Sequence, residues 1–227
     1  MLREEDNAAA GEAPAGDIVD AVFAISCRSL PVDHAYALSQ AIQAAMPWFA
    51  LEPRAGLHTI HGAESGSGWM RPEDPDALLQ LSRRAKLALR LPRHRLDAAA
   101  ALVGRTLQVA GWPLRVDRLA MRPLSRITTL FSRCVVFDSA GDEAAFLVAA
   151  EVELDALGIK PERMLCGRMT PVATPARTYQ TRSLMLAGLT QEQSLRLQQE
   201  GLGAERKLGC GLFIPHKDIA DLRSRSD

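Results

Sequence analysis

Aromatic residues are scarce in this chain. They make up 5% of 227 residues, so its core must be built mostly from Leu, Val, Ala and Ile. Net charge is also absent: Lys+Arg and Asp+Glu each number 27. A strongly basic field over the whole protein is thereby excluded, and a polyanion site would have to come from local charge segregation. No apolar run approaches the roughly 18 residues needed to span a bilayer. The N-terminus, MLREEDNAAAGEAPAG, is acidic where a signal peptide would be basic, which makes a cytoplasmic location the expectation. Cys27, Cys134, Cys166 and Cys210 are widely scattered without a C-x-x-C pair, so a zinc ribbon has no support and reduced thiols are expected. What is present is ordinary: 47% hydrophobic and 24% charged residues, which excludes wholesale disorder and low-complexity character. The length allows one large domain or two small ones.

The neutral total hides segregated signs. Glu4, Glu5, Asp6, Glu12, Asp17 and Asp20 face only Arg3 in the first twenty residues. Between Asp76 and Asp97 no acid occurs, yet Arg83, Arg84, Lys86, Arg90, Arg93 and Arg95 do. A second basic stretch holds Arg115, Arg118, Arg122, Arg126 and Arg133 against Asp117, and the C-terminal third adds Arg163, Arg168, Arg177, Arg182, Arg206, Lys207 and Lys217. Converging on one face, these would make a basic groove suited to a phosphate backbone.

Hydrophobic patterning places the elements. Residues 19–27, VDAVFAISC, read as a buried strand. Pro31 and Asp33 open a helix over about 33–46, with Leu38, Ile42, Ala45 and Met46 at helical spacing and Pro47 as its stop. Leu57–His61 reads as a short strand, 62–75 as a loop, Lys86–Leu91 as a strand, Arg95–Val103 as a weak helix, and Thr106–Val116 as two short strands around Gly111. The second half repeats the order. It has a strand over 128–137, a helix over 143–157 with Gly158 as C-cap, strands over 163–172 and 177–186, a helix over 190–200 with a Thr190/Gln193 capping box, and a strand over 208–214. Two β-α-β-β-α-β units in tandem predict an α+β fold of two ferredoxin-like domains with antiparallel sheets. The expected divisions are an acidic tail over 1–18, an N-terminal domain over 19–120 and a C-terminal domain over 121–227, with the boundary near 118–127.

The most specific signal is GLGAERKLGCGLFIP, beginning at Gly201. Gly201, Gly203, Gly209 and Gly211 bracket Arg206 and Lys207. Glycines permit positive φ and close backbone approach, and a loop free of bulky side chains can present N–H groups to phosphates. It is no Walker loop, lacking GK[ST], and it does not follow a first strand as a dinucleotide fingerprint does. A tight helix-to-strand turn would also need these glycines.

With the tandem ferredoxin order, this loop resembles that of the CRISPR-associated repeat-RNA-processing endoribonucleases (the Cas-six family, within the repeat-associated mysterious protein superfamily). LPVDHAYALSQAI at 30–42, LSRRAKLALRLP at 81–92, ERMLCGRM and TRSLMLAGLT agree with it, and the likeness extends from about residue 19 through nearly the whole chain. The resemblance implies an enzyme that binds the repeat of precursor CRISPR RNA and cuts it once per repeat. It implies no metal or cofactor: the 2′-hydroxyl attacks in line, leaving a 2′,3′-cyclic phosphate and a 5′-hydroxyl. The implied partners are precursor and mature CRISPR RNA and other effector-complex subunits, with no membrane.

Such chemistry needs a base, an acid and a cation. Imidazole suits proton transfer because its unperturbed pKa lies near about 6.5. The histidines are His34, His58, His61, His94 and His216. His34 sits in the first turn of the first helix, where the resemblance places a catalytic histidine. Of the H-x-x-H pair His58 and His61, three apart on a strand and so on opposite sides, His61 is the candidate second proton-transfer group. Tyr36 matches an assisting tyrosine of the family, yet lies two helical positions from His34 and points elsewhere. The lysine that family members often place near the histidine has no counterpart beside His34. RNA-binding candidates are Gly201, Gly203, Arg206, Lys207, Gly209 and Gly211 of the loop, with Arg83, Arg84 and Lys86; Trp69 is a candidate stacking residue. Two other readings stand beside the nuclease: a catalytically silent RNA-binding subunit of an effector complex, and a small α+β metabolic or acetyl-transfer protein using the loop for a nucleotide phosphate.

Overall fold

The computed structural model describes residues 17–62, 72, 74 and 77–216. Most of the acidic tail, Trp69 and Lys217 lie outside the described residues. The first half runs β1 (Ile18–Ser26), β2 (Ser29–Pro31), α1 (Ala35–Ala45), α2 (Trp48–Leu51), β3 (Gly56–His58), β4 (Leu78–Gln80), β5 (Lys86–Pro92), α3 (Leu96–Ala99), β6 (Thr106–Val109) and β7 (Trp112–Pro123). The second half runs β8 (Leu130–Val136), α4 (Glu143–Ala156), β9 (Arg163–Ala173), β10 (Thr178–Ala187), α5 (Gln191–Glu200) and β11 (Ile214–Pro215).

Both sheets are antiparallel, as expected. The first has the order β3-β5-β1-β7-β6 and the second β11-β8-β10-β9. In each, the first and third strands of the βαββαβ unit lie side by side at the centre, the ferredoxin-like arrangement, with β6 added by a hairpin. The first core gathers Phe23, Leu89 and Leu114 under Leu38 and Ile42 of α1, and the second gathers Leu130, Leu184 and Leu186 under Phe146 and Leu197. Ala35, Cys134, Val136, Val172, Leu208 and Cys210 form a third cluster that draws on both halves.

Several elements differ from expectation for local reasons. The division at 120/121 falls inside β7, which pairs with β1 as far as Pro123, so the connection is 124–129. Gln198 holds that connection at Ser125 through both ends of its amide, at 3.2 and 2.6 Å. The strand expected over 208–214 shrinks to Ile214–Pro215, because Gly209 and Gly211 take left-handed φ of 89° and 69°. The weak helix over 95–103 is a chain of short turns rather than one helix. The β2–β4 ribbon has no counterpart in the expected elements; three-residue strands carry too little periodicity to read. The Thr190/Gln193 capping box forms as expected.

The two halves are joined through buried cations. Arg90 on β5 is fully buried. It grips the Asp20 carboxylate at 2.9 and 3.3 Å, then crosses to the second half, donating to the carbonyls of Gln198 at 3.0 Å and Phe213 at 2.7 Å. Arg122 adds a bond to Asp20 at 3.0 Å, and His58 Nε2 lies 3.5 Å from it. Burial pushes the Asp20 carboxyl upward, but His58 and Arg90 outweigh it and hold it well below the usual carboxylate range.

Removing Arg90 would leave Asp20 buried without its main partner and two carbonyls unbonded. Arg90→Ala is expected to lower unfolding free energy by about 3–5 kcal/mol in urea titration. The carboxylate's contribution is present above its unfolded pKa, about 3.9, and is lost as pH falls below that value. The fall in stability over that acid window should flatten in Asp20→Asn, read by thermal melts across pH.

Candidate active site and nucleic-acid interface

Between the two sheets lies a cleft. A cavity of about 110 Å³ is bordered by His34, Thr59 and His61 from the first half and by Arg133, Thr170 and Thr181 from the second. An adjoining hollow of about 170 Å³ shares Thr59, His61 and Arg133 and adds His58 and Arg122. β3 ends at His58, so the chain leaves the sheet just where Thr59–His61 must turn into the cleft.

His34 precedes α1 as its N-cap and is 3% exposed. Its Nε2 accepts the Ile60 N–H at 3.1 Å, and its Nδ1 lies 2.8 Å from the Pro31 carbonyl. A backbone N–H can only donate and a carbonyl can only accept, so the ring is the neutral tautomer protonated on Nδ1. To act as the expected proton-transfer centre, His34 would have to exchange its Ile60 hydrogen bond for one to the substrate. His34 instead ties the residue next to His61 to the start of α1.

His61 is half-buried and borders both hollows, with Nε2 3.3 Å from Thr59 Oγ1. His58 turns to Asp20, and burial pushes its pKa down although Asp20 partly offsets this. The expectation that strand alternation separates His58 from His61 fails because β3 stops at His58; both border the 170 Å³ hollow. His94 is on the surface 3.9 Å from Glu52, and His216 stands by Phe131 at 5.9 Å, away from the cleft. Tyr36 packs with the third cluster rather than against His34.

The glycine-rich loop does not form the phosphate cradle expected of it. Arg206 donates to the carbonyls of Glu200, Gln199 and Arg54, the last two at 3.0 and 3.3 Å. Lys207 donates to the carbonyls of Glu52 and Ala55, the latter at 2.8 Å, and stands over the Phe49 ring. Burial, with Arg206 beside it, pushes the Lys207 ammonium down to about 8. The N–H groups of the four glycines are also spent inside: Gly201 on Leu197, Gly203 on Glu153, Gly209 on Arg206 and Gly211 on Cys134. The close approach that needs glycine is to the protein itself. A Cβ on Gly209 would lie 2.8 Å from the Thr59 methyl and 3.0 Å from the Leu57 carbonyl, and one on Gly203 would lie 2.5 Å from the Val136 carbonyl. The loop is a joint that seats the second half on the end of β3.

Arg83, Arg84 and Lys86 are exposed, at the turn between β4 and β5. Arg122 and Arg133, two members of the second basic stretch, are the cations that reach the cleft. Thr59, Thr170 and Thr181 were invisible as site residues in sequence, since a threonine in a strand carries no chemical signal of its own. Among the described residues no three of His, Cys, Asp and Glu gather as a metal-ligand set, all four cysteines are thiols, and no helix is long and apolar enough to cross a membrane.

His34→Ala would orphan the Pro31 carbonyl and the Ile60 N–H, each buried group costing about 1–3 kcal/mol. Gly209→Ala should also destabilise, through its positive φ and its contact with residues 57–59. Thermal melts check both, and Tm equal to the parent would show that neither position joins the halves.

A protein-family model described as "Cas6 Crispr" matches residues 19–218. The CRISPR-associated endonuclease Cas6 of Myxococcus xanthus is 32% identical over 206 residues, covering 91% of this chain and 85% of that protein. Two solved structures have the same fold at TM-score 0.57: a CRISPR-associated protein Cas6, 9% identical, and the product of a Cas6-related gene from Pyrococcus furiosus, 13% identical. Each is covered over 99% of its length, by 88% of this chain.

Proposed function

The chain belongs to the Cas6 family of CRISPR-associated endonucleases, and on that premise we propose that it matures CRISPR RNA by cutting the repeat in the cleft between its two halves. The observation that carries this reading is the meeting of His61, Thr59 and Arg133 there, on elements contributed by both halves. The cut is a transesterification. The 2′-hydroxyl upstream of the scissile phosphate loses its proton and attacks phosphorus, the P–O bond to the 5′-oxygen breaks, and that oxygen takes up a proton. The products are a 2′,3′-cyclic phosphate and a 5′-hydroxyl.

His61 is the imidazole placed to exchange a proton with such a substrate, because it borders both hollows and is half-buried, while His34 borders only the smaller one and is 3% exposed. His34 positions the 59–61 segment through Ile60. Arg133, and Arg122 further along, supply positive charge for the phosphorane and the flanking phosphates. His61 exchanges one of the two protons, water exchanges the other, and Arg133 and Arg122 meet the charge, so the reading requires no metal. Arg83, Arg84 and Lys86 extend the RNA track electrostatically. The product stays bound and enters a larger effector complex in the same reading.

The test is incubation of repeat RNA with the protein in EDTA, with end analysis of the fragments. Cleavage lost under chelation rejects the metal-free mechanism. RNA with a single 2′-deoxy substitution at the cut should resist cleavage; cutting at the normal rate rejects 2′-hydroxyl attack. RNA bound but never cut assigns the chain to a silent binding role. His61→Ala should slow single-turnover cleavage by about 10²–10⁴-fold while anisotropy still reports RNA binding. Wild-type rates would remove His61 from the chemistry.

A further inference from the structure

A second hollow, larger than the cleft, lies elsewhere on the first half. A groove of about 800 Å³ opens at the far end of the N-terminal sheet, lined by Leu81, Trp112, Pro113, Arg28, Ser29 and Arg83 among others. From Asp20, beside the cleft, to Ser26, at the groove, is about 20 Å along β1 at roughly 3.3 Å per residue. The two hollows are separate, yet one element touches both. On β2–β4, Leu79 borders the cleft, and Ser29 with the following Leu81 borders the groove.

The walls have the chemistry of a nucleotide site. Ala110 and Gly111, both at positive φ (52° and 83°), make the tight turn that presents Trp112 and Pro113. One part of Trp112 packs on the first core, and the rest remains open to the groove. Arg28 and Arg83 are exposed at its rim, with Arg84 and Lys86 beside them, and none of the four makes an ion pair among the described residues. Asp117, an acid on the neighbouring strand, is already engaged by Ser26 Oγ at 2.9 Å and by Arg115 at 3.1 Å. An indole flanked by uncompensated guanidiniums suits an unpaired base and its phosphates. An apolar peptide would leave those charges unmatched.

We propose that this groove holds an unpaired nucleotide of the RNA strand whose neighbouring segment occupies the cleft, with its base on Trp112 and its phosphates at Arg28 and Arg83. The site deepens the nuclease reading and rests on it for the identity of the RNA. It makes the β2–β4 ribbon the rail along which single-stranded RNA passes from the cut to an anchoring base.

The experiment uses the full chain and repeat RNA in which single uridines are replaced, one at a time, by 5-iodouridine. Irradiated complexes should crosslink to Trp112 or to residues 25–29 and 81–83 from a position outside the cut. Anisotropy should show Trp112→Leu weakening repeat-RNA binding by about 5–100-fold, the range expected for losing one stacked base, with Trp112→Tyr restoring most of it. Arg28→Glu with Arg83→Glu, both at exposed positions that leave folding intact, should weaken binding and reduce its salt dependence. Crosslinks found only elsewhere, or parental affinity in the charge-reversed variant, overturn the groove even if the RNA is cut normally. Crosslinks at Trp112 in a protein that cuts nothing uphold the groove and sink the nuclease reading instead. Occupation of the groove by a protein, seen as crosslinking of a partner polypeptide at Trp112 in place of RNA, also overturns it.

Discussion

The structure depends on cations of one half bonding main-chain carbonyls of the other. Arg90 reaches from β5 to Gln198 and Phe213, while Arg206 and Lys207 reach back to residues 52–55. A buried guanidinium is tolerable only when its charge is matched and its N–H groups are bonded. Asp20 supplies the match for Arg90, and the carbonyls of both halves supply the bonds. The consequence is a fixed relation between the two sheets, reinforced by a small apolar cluster drawn from both halves.

That fixed relation creates the site. Neither half holds the cleft alone: Thr59 and His61 come from the segment just after β3, and Arg133, Thr170 and Thr181 come from β8, β9 and β10. Gly209 lets the loop backbone lie against Thr59 and Leu57, and Gly56 admits Leu212 from the other side. His34 completes the arrangement by holding Ile60. Through that bond His34 fixes the backbone beside His61, which borders both hollows.

Much of the fold was legible in the amino-acid order. β1, α1, β5, α4, β10 and α5 fall within a residue or two of their expected ranges, because each is long enough to show its period and carries its own stop, such as Pro47 or Gly158. β2 and β4 were not legible, being too short, nor was the full length of β7, whose last turns alternate weakly and are extended by pairing with β1. The site was less legible than the fold. His61 was named beside His34, and Arg133 was visible only as one charge in a basic run.

Sequence by itself determined the two βαββαβ units, the family likeness and the set of glycines that must adopt unusual backbone, since periodicity, punctuation and steric freedom are local properties. Tertiary structure alone decided which partners the cations and histidines have. Arg206 and Lys207 look like phosphate ligands in a row of letters and are interior bonds in space; His34 and His61 look alike, yet one borders only the smaller hollow and holds Ile60 while the other borders both hollows. The bonds that cross between the halves join residues more than a hundred positions apart, and no local pattern encodes them.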